Sequence, residues 1–403
     1  MPTRVLGVQI ANGYSPEAQV FARLLAHASP EALEPHVFYQ KWDGDPQSAK
    51  RFQEASSAPV QTLDFGWRSV SAHRSLPAKA GARLRFLASL PQALRLARHI
   101  NPDVIYSCQQ LWDCQAATYL ARKLNKPQVI HLHYIIGPWL HRPILERLRT
   151  CAHVITVSDF IRGEALKHGV RPERVTTIRN TIMPFPVPES GTRGTVRRNL
   201  GLSMDAVLLG IIGRLDPDKG QSDTLRAFAL AVDQSPNIHL LVVGDETPWH
   251  PGYTAALKAL AADLGLTGRA HFLGRRSDVP HLLAALDIFV HPSRREPFGL
   301  AVAEASAAGL PVVAYAEGGL PEIVQEGVTG LLTPPENIPA LASSLTQLAG
   351  NQDYARTLGQ AGRSRMTSEF GPAPAGKAFA ELMGRFQSLP VTGKAHGTAQ
   401  VSL

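Results

Sequence analysis

Cysteine is scarce in this chain: Cys108, Cys114 and Cys151 are the 3 among 403 residues. An odd, scattered set excludes a disulfide framework and a cysteine-based zinc site, and it fits a reducing interior. Long apolar runs are missing as well. A clean run such as 206–213 stops far short of the roughly 18–20 residues of a membrane-spanning helix. The start, Met-Pro-Thr-Arg before the apolar residues 5–10, reads as a short strand and not as a signal peptide, so the expected location is cytoplasmic. Aromatic residues make up only 7%. No aromatic-basic recognition motif accompanies the net charge of +8, which leaves nucleic acid as the least favoured partner.

What the chain does have is a steady alternation of strand and helix patterns. Strands are predicted at 4–10, 36–39, 103–107, 128–133 and 153–157, and the scheme resumes from Ala206. Between them lie helical stretches such as 16–27, opened by Ser15 as a cap with Pro16 at the first helical position. This is the pattern of an α/β protein with parallel sheets covered by helices. A chain of 403 residues is too long for one ordinary core and predicts two domains. The seam is expected where Pro184, Pro186 and Pro188 precede Glu-Ser-Gly-Thr-Arg-Gly, giving domains over 1–184 and 185–370. The residues from 390 to 403 lack periodicity and read as a disordered tail.

Chemistry concentrates in two segments of the second half. The run Glu296-Pro-Phe-Gly-Leu-Ala-Val-Ala-Glu304 places two carboxylates around a small-residue helix start, just after an apolar strand. The free N–H groups at Phe298, Gly299 and Leu300 suit a phosphate. Glu296 precedes that anion site and Glu304 lies about two turns into the helix, so each carboxylate can reach one end of a diphosphate ligand. A nucleoside diphosphate sugar carries hydroxyls at both ends. The plainer alternative is two solvated glutamates, against which stands the setting of Glu304 amid alanines and valine. Upstream, Gly210-Ile-Ile-Gly-Arg214-Leu-Asp-Pro-Asp-Lys219-Gly220 ends a buried strand in two cations. A guanidinium fork and an ammonium at the mouth of a parallel sheet fit a diphosphate. A solvated loop is the alternative. Gly274-Arg275-Arg276-Ser277-Asp278 follows another strand end of the same sheet and is expected to line a base pocket.

These segments resemble the retaining, nucleotide-sugar-dependent glycosyltransferases of family 4, which share the two-domain GT-B fold. The similarity covers most of residues 100–370, including Val157-Ser-Asp-Phe160, Ile178-Arg-Asn180 and the stretch from Ala270 to Leu332. It implies two Rossmann-like doubly wound domains facing a central cleft, and a helix over 371–389 that crosses back onto the first. It also implies sugar transfer to a hydroxyl acceptor with retention at the anomeric carbon. Arg214 and Lys219 would then stabilise the departing diphosphate, Glu296 would hold sugar hydroxyls and Glu304 the ribose. His133 matches the position of a histidine near the transferred sugar, with His131 as support. The alternatives for that pair are two packed strand-end histidines, or a metal pair lacking a third ligand. The family's double-glycine loop after the first strand appears here as Asn12-Gly13-Tyr14-Ser15, and Gly13 alone carries over, as a point of backbone approach to phosphate.

Asp43-Gly-Asp45 and Asp216-Pro-Asp218 both spell Asp-x-Asp. The first reads as a turn and the second lies in the cationic loop, so no essential metal and no other cofactor is expected. Rival functions are a sugar-nucleotide epimerase or glycan phosphorylase on the same fold, and a non-catalytic binding subunit. Charge is uneven: residues 1–185 hold 23 Lys/Arg against 13 Asp/Glu, and the rest hold 18 against 20. No acidic residue occurs over 65–102, where Arg68, Arg74, Lys79, Arg83, Arg85, Arg95 and Arg98 alternate with Trp67, Leu84, Phe86, Leu87 and Leu90. Residues 67–98 therefore read either as a basic amphipathic segment for an anionic membrane surface or as a helix facing its own domain.

Overall fold

Each continuous apolar run becomes a strand of a parallel sheet. The computed structural model describes residues 1–10, 13–41, 45–66, 76–186, 189 and 191–387. The chain divides into two compact units. The first holds Met1–Thr156, Glu164–Ile178 and the chain from Ala373; the second holds Val157–Gly163 and Arg179–Pro372.

The first unit is built on β1 (Thr3–Gln9), β2 (Leu33–Gln40), β3 (Val60–Leu63), β4 (Val104–Cys108), β5 (Gln128–Leu132), β6 (His153–Thr156) and β7 (Val175–Thr177). Their order is β3-β2-β1-β4-β5-β6-β7, parallel throughout. Successive side chains of a strand point to opposite faces, and the core divides accordingly. Val5, Val37 and Tyr106 pack on one face with Phe21 and Phe379, while Leu6, Phe38 and Ile105 pack on the other with Phe86 and Leu120. Phe379 belongs to the helix Pro372–Gly384, whose Ala380, Leu382 and Met383 join the same cluster. Burying such side chains is worth about 1.5–3 kcal/mol each, enough to fix that helix on this core.

The second unit carries β8 (Val207–Ile212), β9 (Ile238–Val243), β10 (Ala270–Gly274), β11 (Ile288–His291), β12 (Val312–Tyr315) and β13 (Gly330–Thr333). Their order is β10-β9-β8-β11-β12-β13, again parallel. Chain order thus reverses between β8 and β11, the doubly wound topology that leaves a crevice beyond the strand ends at that point. Each sheet is thus parallel and doubly wound, a Rossmann-like arrangement.

The predicted strands appear with ends moved by at most three residues. Two others, β3 and β7, carry no apolar signal long enough to read: Gln61 and Thr62 of β3 are exposed, and β7 has 3 residues. The helix Pro16–Ala26 starts as expected, with Ser15 Oγ accepting from the Ala18 N–H at 3.3 Å. The helix Leu76–Ile100 turns Phe86, Leu90, Ala93 and Ala97 into its own domain. Two of the apolar residues attributed to a membrane-facing stripe, Phe86 and Leu90, are therefore core. Trp67, Arg68 and Arg74, the end of the proline linker at Pro188, and the tail from 390 lie outside the described residues.

Candidate functional site

At the reversal point of the second sheet, the loops following β8 and β11 are built against each other. The Arg294 N–H donates to the Asp218 carbonyl at 2.8 Å, and Ser293 Oγ lies 3.1 Å from the same oxygen. Gly220 closes the short 3-10 turn Pro217–Lys219 with a φ of 74°, and a β-carbon there would sit 2.1 Å from the Pro292 carbonyl oxygen. Only glycine allows that approach. The turn is capped by Asp216, whose Oδ1 accepts from the Asp218 N–H at 3.1 Å. The first carboxylate of this Asp-x-Asp thus caps its own loop, and Asp218 joins through its backbone with an exposed side chain.

This construction delivers Lys219 to Glu296. Lys219 Nζ donates to Glu296 Oε2 at 2.5 Å, Ser293 Oγ donates to it at 2.9 Å, and His291 Nε2 lies 3.4 Å away. The side chains of Glu296 and His291 are 11% and 4% exposed. Burial would raise the Glu296 pKa, but Lys219 and the His291 contact reverse this and hold the carboxyl far below its usual range. It is ionised throughout the neutral range. All three partners converge on Oε2, and Oε1 has no hydrogen-bond partner among the described residues. The carboxylate is therefore fixed by one oxygen and presents the other.

Arg214 stands nearby in sequence with an exposed side chain, its backbone carbonyl accepting from Gln221 Nε2 at 2.8 Å. The helix Leu300–Ala307 begins at Gly299, which has a φ of 106° and offers no side-chain cap. Uncapped N-terminal N–H groups are open to an anion. Gly299 is required by packing too, since a β-carbon there would meet Leu320 Cδ2 at 2.8 Å. The Phe298 ring is buried, 6.0 Å from that of Phe370, so this residue can offer a ligand its backbone alone. Leu300 is half-buried. Glu304 corrects the expectation drawn from its neighbours: the alanines and valine around it face inward, and Glu304 itself is exposed. Helical periodicity explains this, because residues flanking a buried stripe point outward. Arg275 is exposed just beyond β10, the edge strand of the sheet, and Arg276 beside it forks onto Asp278 at 2.8 and 2.7 Å.

Gly13 and His133 belong to the first unit. Gly13 has a φ of 62°, and its carbonyl accepts from the Tyr39 hydroxyl at 2.7 Å. His133 follows β5, and its N–H donates to Gln109 Oε1 at 3.0 Å. The Tyr106 hydroxyl lies 2.8 Å from His131 Nδ1, and the two imidazole rings are 4.1 Å apart. Tyr106 as donor leaves the His131 proton on Nε2. Both Nε2 atoms and Gln109 Nε2 are buried without a hydrogen-bond partner. Burial drives both histidines toward the neutral form, and the His133 pKa falls to about 3. Three unsatisfied polar atoms at adjacent strand ends mark a place where a polar ligand would be stabilised.

Asn12, Asp43 and Gly44 lie outside the described residues, and Asp45 pairs with Arg51. Among the described residues no group of three or more His, Cys, Asp or Glu side chains is placed to hold a metal ion. No described helix is long and apolar enough to cross a membrane. Sequence reasoning missed His291, Ser293, Gln109 and Tyr106. The first two stand five and three residues before Glu296, and that proximity was the available signal.

Residues 192–365 match the model of the group 1 glycosyl transferases, and residues 18–184 match that of Glycosyltransferase Family 4. The D-inositol 3-phosphate glycosyltransferases of Mycobacterium bovis and Mycobacterium tuberculosis are 32% identical over 197 residues, 48% of this chain and 40% of theirs. The chain thus spans less than half the length of these curated relatives. Among solved structures, Anabaena HepE in complex with UDP-glucose is 25% identical, with a TM-score of 0.76 over 95% of this chain and 99% of that one. Sucrose-phosphate synthase from Thermosynechococcus elongatus shares the fold at 20% identity, with a TM-score of 0.76 over 95% of this chain and 99% of its own.

Proposed function

We propose that this chain, whose residues 192–365 and 18–184 match the group 1 and family 4 glycosyltransferase models, moves a sugar from a nucleoside diphosphate sugar to a hydroxyl acceptor. The observation that carries the reading is the meeting of Lys219 and Glu296 at the reversal point of the second sheet. HepE, similar over nearly its whole length, is described in complex with UDP-glucose. The cation and the helix start at Gly299 suit a diphosphate, and the open Oε1 of Glu296 suits sugar hydroxyls. Arg214 adds a guanidinium with no carboxylate partner among the described residues. Exposed Glu304 is assigned to the ribose and Arg275 to the base. His133, neutral and with its Nε2 unsatisfied, is assigned to a sugar hydroxyl, and Gly13 to close backbone approach.

In the step, the acceptor oxygen bonds to the anomeric carbon while the bond from that carbon to the diphosphate oxygen breaks. The acceptor proton passes to the departing phosphate oxygen, which is attack from the leaving-group face and retains configuration. Charge grows on the diphosphate, so fixed positive groups around it lower the barrier. No metal is assigned a part. The test is incubation of the purified protein with uridine, guanosine and adenosine diphosphate sugars, with and without a sugar or inositol acceptor. Acceptor-dependent release of nucleoside diphosphate is expected, with the α-linkage of an α-donor kept in the product. A changed sugar without acceptor would instead indicate an epimerase.

The helix Leu76–Ile100 favours a second, compatible reading. Leu84 and Leu87 are 68% and 44% exposed on a surface that also shows Lys79, Arg83 and Arg85. Apolar side chains flanked by cations suit an anionic membrane surface, where each cation contributes about 1 kcal/mol. Liposomes containing anionic lipid should bind the protein at low salt and release it as salt rises. Arg83→Glu with Arg85→Glu should weaken sedimentation. Absence of binding at low salt would remove this surface from the account.

A further inference from the structure

A groove of about 1050 Å³ opens between the helices Leu111–Leu124 and Arg142–Thr150 of the first unit, away from every residue assigned above. Its wall combines Tyr119 and Ile144 with four cations, Arg122, Lys123, Arg142 and Arg147. Glu146, the acidic residue of the rim, is engaged by Arg149 at 3.0 Å. Among the described residues none of the four groove cations has a carboxylate within ion-pair distance.

Arg147 is the informative member. Its Nε donates to Gln128 Oε1 at 2.6 Å, and Thr118 Oγ1 donates to the same oxygen at 3.0 Å. The guanidinium is thereby anchored through Nε, and its two terminal nitrogens have no hydrogen-bond partner among the described residues. Removal from water lowers the proton affinity of this group, and Arg122 adds repulsion to it. Arg147 is partly buried; a guanidinium charge partly shielded from water without a counter-ion is costly, and a second cation beside it increases the cost. A fixed fork of two terminal nitrogens is the geometry that receives an oxyanion end-on. The helix Arg142–Thr150 adds to this. Its cap, His141, makes no side-chain hydrogen bond, and the first turn holds Arg142 and no acidic residue. A cation at a helix N-terminus opposes the macrodipole unless an anion lies nearby.

We propose that this groove is a second ligand site, for a phosphate monoester carried on an apolar body, with Arg147 and Arg122 holding the phosphate and Tyr119 and Ile144 the apolar part. Several cations around one fork favour a dianion over a carboxylate. Tyr119 and Ile144 give the body a surface that inorganic phosphate would not use. The site does not depend on the donor reading, because it shares no residue with it.

Calorimetric titration separates the two. Phenyl phosphate, dihexanoyl phosphatidate and inorganic phosphate serve as probes, each against the wild type, Lys219→Ala, Arg147→Gln and the exposed pair Arg122→Gln with Arg142→Gln. The phosphate monoesters should bind the wild type and Lys219→Ala alike, and at least tenfold more weakly to Arg147→Gln and to the double variant. Inorganic phosphate should bind at least tenfold more weakly than phenyl phosphate. Preference for phenyl phosphate over the phosphatidate would identify a soluble ligand, and the reverse a lipid headgroup; both uphold the site. The double variant alters exposed side chains alone, so it answers the question even if Arg147→Gln fails to fold. Equal binding by the wild type and the double variant, loss of binding in Lys219→Ala alone, or no binding of any monoester overturns the proposal.

Discussion

Glu296 shows what a single side chain gains from the loop that carries it. Lys219, Ser293 and His291 all address Oε2, so the orientation of Oε1 is set before any ligand arrives. Such preorganisation matters because a hydrogen bond aimed at the reacting sugar needs no rearrangement during the reaction. Glu296→Ala should lower kcat by about 100-fold or more, while the nucleoside diphosphate still binds through the cations. Ser293→Ala removes one of the three contacts to Oε2, and a loss of kcat near tenfold with little change in KM for the donor is expected from steady-state kinetics. Equal kcat for Ser293→Ala and the wild type would mean that Oε2 needs no such support. The buried histidines give a prediction about pH. Their folded pKa values are depressed by burial, to about 3 for His133, whereas an unfolded histidine titrates near 6.5. The unfolded chain therefore takes up protons that the folded chain refuses, and stability is lost as pH falls below about 6.5 and on toward 3. The slope is up to about 1.4 kcal/mol per pH unit for each histidine. Urea midpoints measured at pH 7.5 and 5 should fall less steeply for His133→Gln than for the wild type. Identical slopes would contradict the neutral, desolvated state of His133.

At the scale of elements, the loops after β8 and β11 behave as one piece. Gly220→Ala would force a β-carbon to 2.1 Å from the Pro292 carbonyl and strain a φ of 74°. The strain of a left-handed non-glycine residue is about 1–3 kcal/mol, and the clash adds to it. Thermal unfolding should therefore occur at lower temperature, and donor affinity should fall with it, because Lys219 sits next to the displaced residue. A variant with wild-type melting and affinity would show that the two loops are not coupled. The same elements show how far the sequence could be read. Strands buried on both faces announce themselves as apolar runs, which made β1, β4, β5, β8 and β11 visible. The edge strand β3 has exposed Gln61 and Thr62, and no apolar periodicity distinguishes it from a loop. Lys219 and Glu296 were legible because glycine-cation and Glu-x7-Glu spacings follow strand ends. The roles of His291 and Ser293 were not, since both depend on a loop folding back on its own carboxylate. Exposure of Glu304 was misjudged because the burial of its neighbours is a property of helix rotation and not of composition.

For the whole molecule, two parallel sheets with β8 and β11 flanking the reversal point account for where the cations and the carboxylate lie. The excess of basic residues in the first 185 positions finds two uses in this account, on the surface of the helix Leu76–Ile100 and in the groove around Arg147. The central claim is that the loops beyond β8 and β11 hold a nucleoside diphosphate sugar without a metal. Calorimetric titration of the wild type and Lys219→Ala with UDP-glucose, GDP-mannose and ADP-glucose, all in the presence of EDTA, tests it most directly. At least one donor should saturate a single site on the wild type under chelation and bind at least tenfold more weakly to Lys219→Ala. If no nucleotide sugar binds, if binding requires added magnesium or manganese, or if Lys219→Ala binds as the wild type does, the claim is contradicted.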